Sequence, residues 1–450
     1  MLWRVVASLR PQDREVLRLA VPALGALLAE PLFLLADSAI VGRLGVLPLA
    51  GLGVAGALLA TAVSVFVFLA YGTTATVARR LGAGDLRSAL QAGVDGMWLA
   101  LGLGAVVAVG AFAVSGFLVD ALGASPAARP YALAYLHWSL PGLPGMLVVL
   151  AATGVLRGLQ DTTTPLVVAV TGAVVNTVLN LLLVYGAGLG IAGSAAGTAL
   201  TQLGMAAWLA AVVVRGVRRE TGSWAALAPR GLGVLKSARD GVPLLVRTLA
   251  LRAALLLTTY VAARQGDAGV AAHQVAVVLW TTTALALDAL AIAAQALVGR
   301  ALGAGDAAGA RAQVRRLVVW GVGAGVVMGA VLAVLAAPIA ALFTPDPDVR
   351  AALAAATVVL ACCLPLAGWV FVLDGVLIGA GDGRYLAGAS IASAAVYAPL
   401  ALAVLAWAPA GRTGLVWLWV VFAGAYTAAR LVTLAPRERG GAWLVTGATR

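Results

Sequence analysis

The sequence predicts an all-α integral membrane protein: twelve transmembrane helices in two pseudo-symmetric six-helix lobes, a 6+6 parallel repeat with an offset of 221 residues. Three observations carry this reading. The 450-residue chain is 62% hydrophobic and only 11% charged, with a mean hydropathy of +1.01. A soluble domain is about 45–50% apolar and about 25% charged, so this chain has too few charges to cover a water-facing surface. The apolar residues gather into twelve runs of about 20 residues or more, the length a bilayer requires. The second half of the chain then repeats the first at constant spacing. Disorder is excluded by the hydrophobicity, and no period-two alternation of the kind found in barrel strands is seen.

In order, the spans are expected at roughly 16–42, 50–78, 89–114, 131–155, 165–186, 191–214, 241–263, 271–298, 313–336, 352–374, 386–407 and 413–434. Many of the 54 glycines fall within them, as expected where membrane helices pack through small residues. The first span holds Glu30 and Asp37 with Pro22 and Pro31, the fifth Asn176 and Asn180, the seventh Arg247 and Arg252, and the eighth Asp288. Cys362 and Cys363 are adjacent in the tenth and have neither disulfide nor metal-ligand spacing.

The net charge of +12 is read from its placement, which speaks against nucleic acid. With the N-terminus inside, the inner segments hold 23 basic residues and the outer loops five (Arg43, Arg129, Arg264, Arg350, Arg412), with Arg247 and Arg252 in a span. Under the positive-inside rule both termini face the cytoplasm. A plasma-membrane protein without a cleavable signal is expected.

Arg79-Arg80-Leu81-Gly82-Ala83-Gly84-Asp85 returns as Arg300-Ala301-Leu302-Gly303-Ala304-Gly305-Asp306. The same offset pairs Pro22 with Pro243, Arg43 with Arg264, Pro144 with Pro365, and Asp161 with Asp382. Six spans per repeat is an even number, so the lobes are parallel, a transporter plan with the substrate site between lobes. Expected domains are an N-terminal lobe 1–214, a basic cytoplasmic linker 215–240, a C-terminal lobe 241–434 and a cytoplasmic tail 435–450.

Ionisable groups inside a span are costly and mark function. Glu30 and Asp37 are seven residues apart, two helical turns, and so share a face. Pro22 and Pro31 each remove a backbone hydrogen bond and favour a bend. Asn176 and Asn180, four apart, lie near the depth of Asp37, and a carboxylate with two amides makes a proton-binding site. The alternatives are a structural carboxylate and ordinary interhelical hydrogen bonding by the amides. Glu30 and Arg252 fall at matching depth in the two repeats. They either form an ion pair that breaks when Glu30 is protonated or each face water separately. Asp288 is a second coupling candidate or else a hydrogen-bonded core acid. Arg247 is expected to snorkel to the surface, and Asp95, Asp161, Asp374 and Asp382 to pair with loop arginines. His137 and His273 read as packing residues, and Trp417 and Trp419 as interfacial anchors.

No nucleotide-binding loop, H-E-x-x-H or C-x-x-C pattern occurs, so the chain is expected to be no enzyme and to carry no metal or cofactor. An ion gradient or the substrate's own gradient supplies the energy.

Asp37-Ser38-Ala39-Ile40-Val41-Gly42-Arg43-Leu44-Gly45, the following Leu49-Ala50-Gly51-Leu52-Gly53, the paired R-x-L-G-A-G-D loops and Leu156-Arg157-Gly158-Leu159-Gln160-Asp161 resemble segments of the multidrug and toxic compound extrusion (MATE) family, its DinF-like branch above all. The likeness extends over nearly all of 15–434. It implies an efflux antiporter for organic cations or amphipathic compounds, working by alternating access; separately, a monomer is expected. It also implies that Asp37 binds the proton, or Na⁺ in some proposals, with Asn176 and Asn180 beside it. Several relatives carry aspartate where Asn180 stands, a departure that favours H⁺ over Na⁺. The family's first-helix bend maps to Pro22, and Glu30 matches no family pattern. The alternative function is flipping of a lipid-linked precursor by a related two-lobe protein.

Overall fold

A computed structural model of the chain describes residues 11–409 and 411–449, the side chain of Asp267 excepted. Arg4, Arg10 and Arg450, which entered the orientation argument, lie outside them. Twelve helices among these residues are long and apolar enough to cross a membrane. They are α1 (Pro11–Gly42), α2 (Val46–Gly82), α3 (Leu86–Ala113), α4 (Arg129–Gly158), α5 (Thr163–Gly186), α6 (Gly190–Thr221), α7 (Gly231–Ala263), α8 (Asp267–Gly303), α9 (Ala307–Phe343), α10 (Pro347–Gly379), α11 (Gly383–Trp407) and α12 (Arg412–Arg439). Every expected span is present, most of them extended by polar end turns.

The helices are continuous because no water in a bilayer can satisfy a free backbone group. Departures are few. α2 breaks at Val67. α5 closes on a π turn, Leu182–Gly186, and α12 contains another, Val420–Tyr426. α1 stays helical through both Pro22 and Pro31. The repeated loop motif folds alike in both copies. Gly84 and Gly305 take φ of 78° and 80°, and the next residue caps the following helix. Asp85 accepts from Ser88 N at 2.9 Å, and Asp306 from Gly309 N at 2.7 Å.

The chain forms two compact units. Val21–Gly241 makes the N-terminal unit, and the described residues up to Ala20 join Val242 onward in the C-terminal unit. Small residues allow close packing within each. In the C-terminal unit Gly321, Gly325 and Gly329 of α9 lie against Gly368, Leu364 and Ala361 of α10. That unit's core centres on Tyr397, Trp419, Phe422 and Tyr426. One core of the N-terminal unit gathers Val41, Leu52, Tyr135, Leu136 and Leu143, which puts α1, α2 and α4 around Asp37.

Candidate functional site

Asp37, Asn176 and Asn180 come together inside the N-terminal unit, with Asp37 1% exposed and both amides fully buried. Asn180 Nδ2 donates to Asp37 Oδ1 at 2.9 Å and to Asn176 Oδ1 at 3.1 Å. Asn176 Nδ2 donates in turn to Thr198 Oγ1 at 3.2 Å. Two further donors reach the carboxylate: Tyr135 OH to Oδ2 at 2.8 Å, and Ser194 Oγ to Oδ1. The residues come from α1, α4, α5 and α6.

Each donor is neutral, and no cationic side chain is among the hydrogen-bond partners of Asp37 in the described residues. Buried carboxylates are ordinarily paired with a cation or saturated by hydrogen bonds. Asp37 follows the second course, which leaves its charge available to a proton or a small cation. Gly197 on α6 makes the arrangement possible, because the space a Cβ would take there is filled by Asn180 Oδ1.

Tyr135, Ser194 and Thr198 were not singled out from sequence, since uncharged polar residues are common in spans. Counting from helix ends would have found two of them. Asp37 is 42 − 37 = 5 residues from the end of α1, and Asn180 is 186 − 180 = 6 from the end of α5. Tyr135 is 135 − 129 = 6 from the start of α4, and Ser194 is 194 − 190 = 4 from the start of α6. At 1.5 Å per residue these depths agree to within about a turn.

Glu30 shares a helical face with Asp37 but not its burial, for it is exposed. Arg252 is exposed in the C-terminal unit. Asp288 is half-buried there and is not without a partner. Pro22 is half-buried and Pro31 exposed.

Several expectations are corrected. Arg247 does not snorkel. It is buried, and its Nη2 donates to Asp374 Oδ2 at 2.5 Å, an oxygen also held by Arg430. Those arginines belong to α7 and α12 rather than to loops. Asp95 accepts from the backbone N of Arg230 at 3.2 Å and from Gln91 at 3.4 Å. Asp161 takes the amides of Thr163 and Thr164 at 3.0 and 2.9 Å, capping α5. Asp382 does meet an arginine, Arg437, at 2.8 Å. Trp419 is no interfacial anchor: it is fully buried against His273 and Phe422. Trp417 is 53% exposed. His137 packs as expected, bonding Ser115 Oγ at 2.9 Å and lying on Phe112.

The repeat supplies an internal control. Adding 221 to Asp37, Tyr135, Asn176, Asn180, Ser194 and Thr198 gives Thr258, Ala356, Tyr397, Ala401, Leu415 and Trp419. In place of the acid, the C-terminal unit has a Thr258–Tyr397 hydroxyl pair at 2.6 Å in an aromatic core. One copy of the repeat carries the carboxylate site.

The MatE family profile matches residues 22–182 and again 243–403. The two starts differ by 243 − 22 = 221, the offset of the repeat. Among curated proteins, DETOXIFICATION 44, chloroplastic, of Arabidopsis thaliana is 33% identical over 386 residues, covering 82% of this chain and 72% of its own. DNA damage-inducible protein F of Escherichia coli K12 is 29% identical, covering 89% and 88%. Among solved structures, a MOP superfamily transporter from Pyrococcus furiosus superposes with a TM-score of 0.85 at 23% identity, covering 96% of each chain.

Proposed function

The chain belongs to the MatE family, and on that premise we propose that it is a proton-coupled antiporter exporting cationic or amphipathic toxic compounds by alternating access. The family and its multidrug-resistance relatives support efflux of small molecules. The observation that carries the coupling is the buried Asp37 carboxylate with only neutral donors around it. A proton reaching Asp37 from outside cancels a charge that Asn180, Ser194 and Tyr135 are arranged to hold. The donor network then relaxes, α1 shifts, and substrate affinity falls. Release of the proton inside restores both. Protonation has to favour the two conformations unequally, and a charge change in a desolvated network does so.

Proton coupling is favoured over Na⁺ because the hydrogen-bond partners of Asp37 include no second carboxylate, Asn180 standing where several relatives carry aspartate, and Na⁺ binding gains from further negatively charged oxygens. The cycle needs no covalent step and no cofactor. The arginine distribution supports an orientation with both termini cytoplasmic, and the plasma membrane is the proposed location.

Uptake of a fluorescent cationic dye into inside-out proteoliposomes, acidic inside, tests the reading. Native protein should accumulate dye only with the pH gradient, and Asp37→Asn should reduce accumulation at least tenfold. Uptake driven by Na⁺ and indifferent to pH would replace the proton. Absence of uptake by native protein under either gradient would overturn drug efflux and favour a lipid-linked substrate.

A further inference from the structure

The boundaries between the two units fall at equivalent points of the repeat. Val21 opens the N-terminal unit and Val242 the main part of the C-terminal one, and 242 − 21 is again 221. Each boundary lies inside an unbroken helix, α1 or α7. The start of each repeat therefore packs in the unit built mainly by the other repeat. Residues 11–20 of α1 belong to the C-terminal unit, and residues 231–241 of α7 to the N-terminal unit.

Equivalent positions of opposite charge hold these two arms. Position 95 on α3 and position 316 on α9 are related by the offset. Arg316 grips both carboxylate oxygens of Asp13, with Nη2 to Oδ2 at 2.5 Å, and Trp320 Nε1 donates to Asp13 Oδ1 at 2.8 Å. Asp13, Val16, Leu19 and Ala20 are all buried. On the other arm, Asp95 accepts from Arg230 N at 3.2 Å. Gly233 lies so close to Asp95, and Gly241 to the Phe68 ring, that neither has room for a Cβ. Trp98 Nε1 donates to Leu227 O at 2.9 Å just before the arm.

Between each clamped arm and the rest of its helix stands a proline, Pro22 or Pro243, one residue past the boundary residue. A proline donates no hydrogen bond, so the carbonyls of Arg18 and Arg239, themselves partners at 221, lose their regular helical acceptor role. Each helix thus lacks a backbone hydrogen bond where it leaves one unit for the other, and α1 lacks another at Pro31 inside the N-terminal unit.

We infer that α1 and α7 act as reciprocal straps: residues 11–20 move with the C-terminal unit, residues 231–241 move with the N-terminal unit, and flexure is confined to residues 20–22 and 241–243. The inference rests on the transport reading only in requiring that the protein change conformation. It assigns Pro243 a pivot equal to that of Pro22, and gives Asp13, Arg316 and Asp95 the task of anchoring the straps.

Amide hydrogen exchange read by mass spectrometry, on the full chain in lipid nanodiscs at pH 5.5 and 8, tests it without any transport assay. Peptides spanning 18–26 and 239–247 should exchange at least tenfold faster than the arms on one side and the helix bodies on the other. This contrast should hold at both pH values once the intrinsic pH dependence of amide exchange is divided out. Uniform protection across the boundaries, or arms exchanging as fast as the pivots, would overturn the inference. Asp13→Asn should raise exchange in 11–20 about tenfold, and the reversed pair Asp13→Arg with Arg316→Asp should restore protection; an arm indifferent to Asp13→Asn would refute the clamp. Replacing Pro22 and Pro243 together by alanine should slow dye uptake severalfold with dye binding unchanged. Loss of native dye uptake with the exchange pattern intact would sink the transport reading and leave the straps standing.

Discussion

Gly197 shows how closely the carboxylate network is packed. A methyl group there would displace the amide oxygen of Asn180, and with it the amide that donates to Asp37. Gly197→Ala should therefore abolish pH-driven dye uptake while lowering the thermal midpoint by only a few degrees, because small side chains are tolerated elsewhere on α6. Tyr135→Phe and Ser194→Ala each remove one of three donors and leave the carboxylate partly held. Each should shift the pH dependence of uptake and retain activity, losing about 1–2 kcal/mol of anion stabilisation at the site. Asp37, Asn176 and Asn180 were legible in the sequence because charged and amide groups are rare in an apolar span, the two amides share one face of α5, and Asp37 on α1 lies near their depth. Arg247 and Trp419 were misread for a physical reason. Snorkelling and interfacial anchoring describe helices facing lipid, and sequence alone does not tell which face of α7 or α12 turns inward.

The repeated elements carry their own controls. The turn after α4 places Gln160 at φ 66°, where its counterpart after α10 is Gly381 at φ 71°. A side chain in that left-handed region costs about 1–2 kcal/mol. Gly381→Ala should lower the unfolding midpoint measured by intrinsic fluorescence, and Gln160→Gly should raise it. The loop carboxylates give a pH-dependent term. Hydrogen bonding by the Ser88 amide holds Asp85 below the usual carboxylate range, and Arg129 does the same for Asp120. Both folded values are depressed, so their stabilisation is present above the ordinary carboxylate range and lost as pH falls through the depressed values. Thermal midpoints of Asp85→Asn and native protein should converge in acid and separate toward neutrality. All twelve helices were legible in outline from hydropathy. Their ends were not, because arginine-rich turns such as the end of α6 continue the helix into polar sequence that a hydropathy window reads as loop.

At the scale of the whole molecule, one copy of the repeat keeps an ionisable site and the other has filled it with aromatic side chains. On the proposed proton-coupled reading, one proton exchanged at Asp37 would supply about 2.3 kcal/mol per 100 mV, enough to concentrate a neutral substrate by less than about a hundredfold before any pH gradient is added. With equal pH on both sides and a clamped potential of about 100 mV, the gradient of a neutral substrate should stay below that ceiling, and each pH unit imposed should raise it about tenfold; a larger gradient would require a second ion. The crossed arms also mean that neither half is complete. Cutting the chain between α6 and α7 should leave each half protease-sensitive when expressed alone and resistant when both are expressed together. The ion pair that anchors the first arm joins residues 303 positions apart. A ribosome adding about 5–20 residues per second delivers Arg316 roughly 15–60 s after Asp13. Throughout that interval the leading segment waits at the membrane surface with its acid unclaimed. Biogenesis of this protein thus contains a built-in delay, because the α1 arm gains its anchoring ion pair only after α9 has been made.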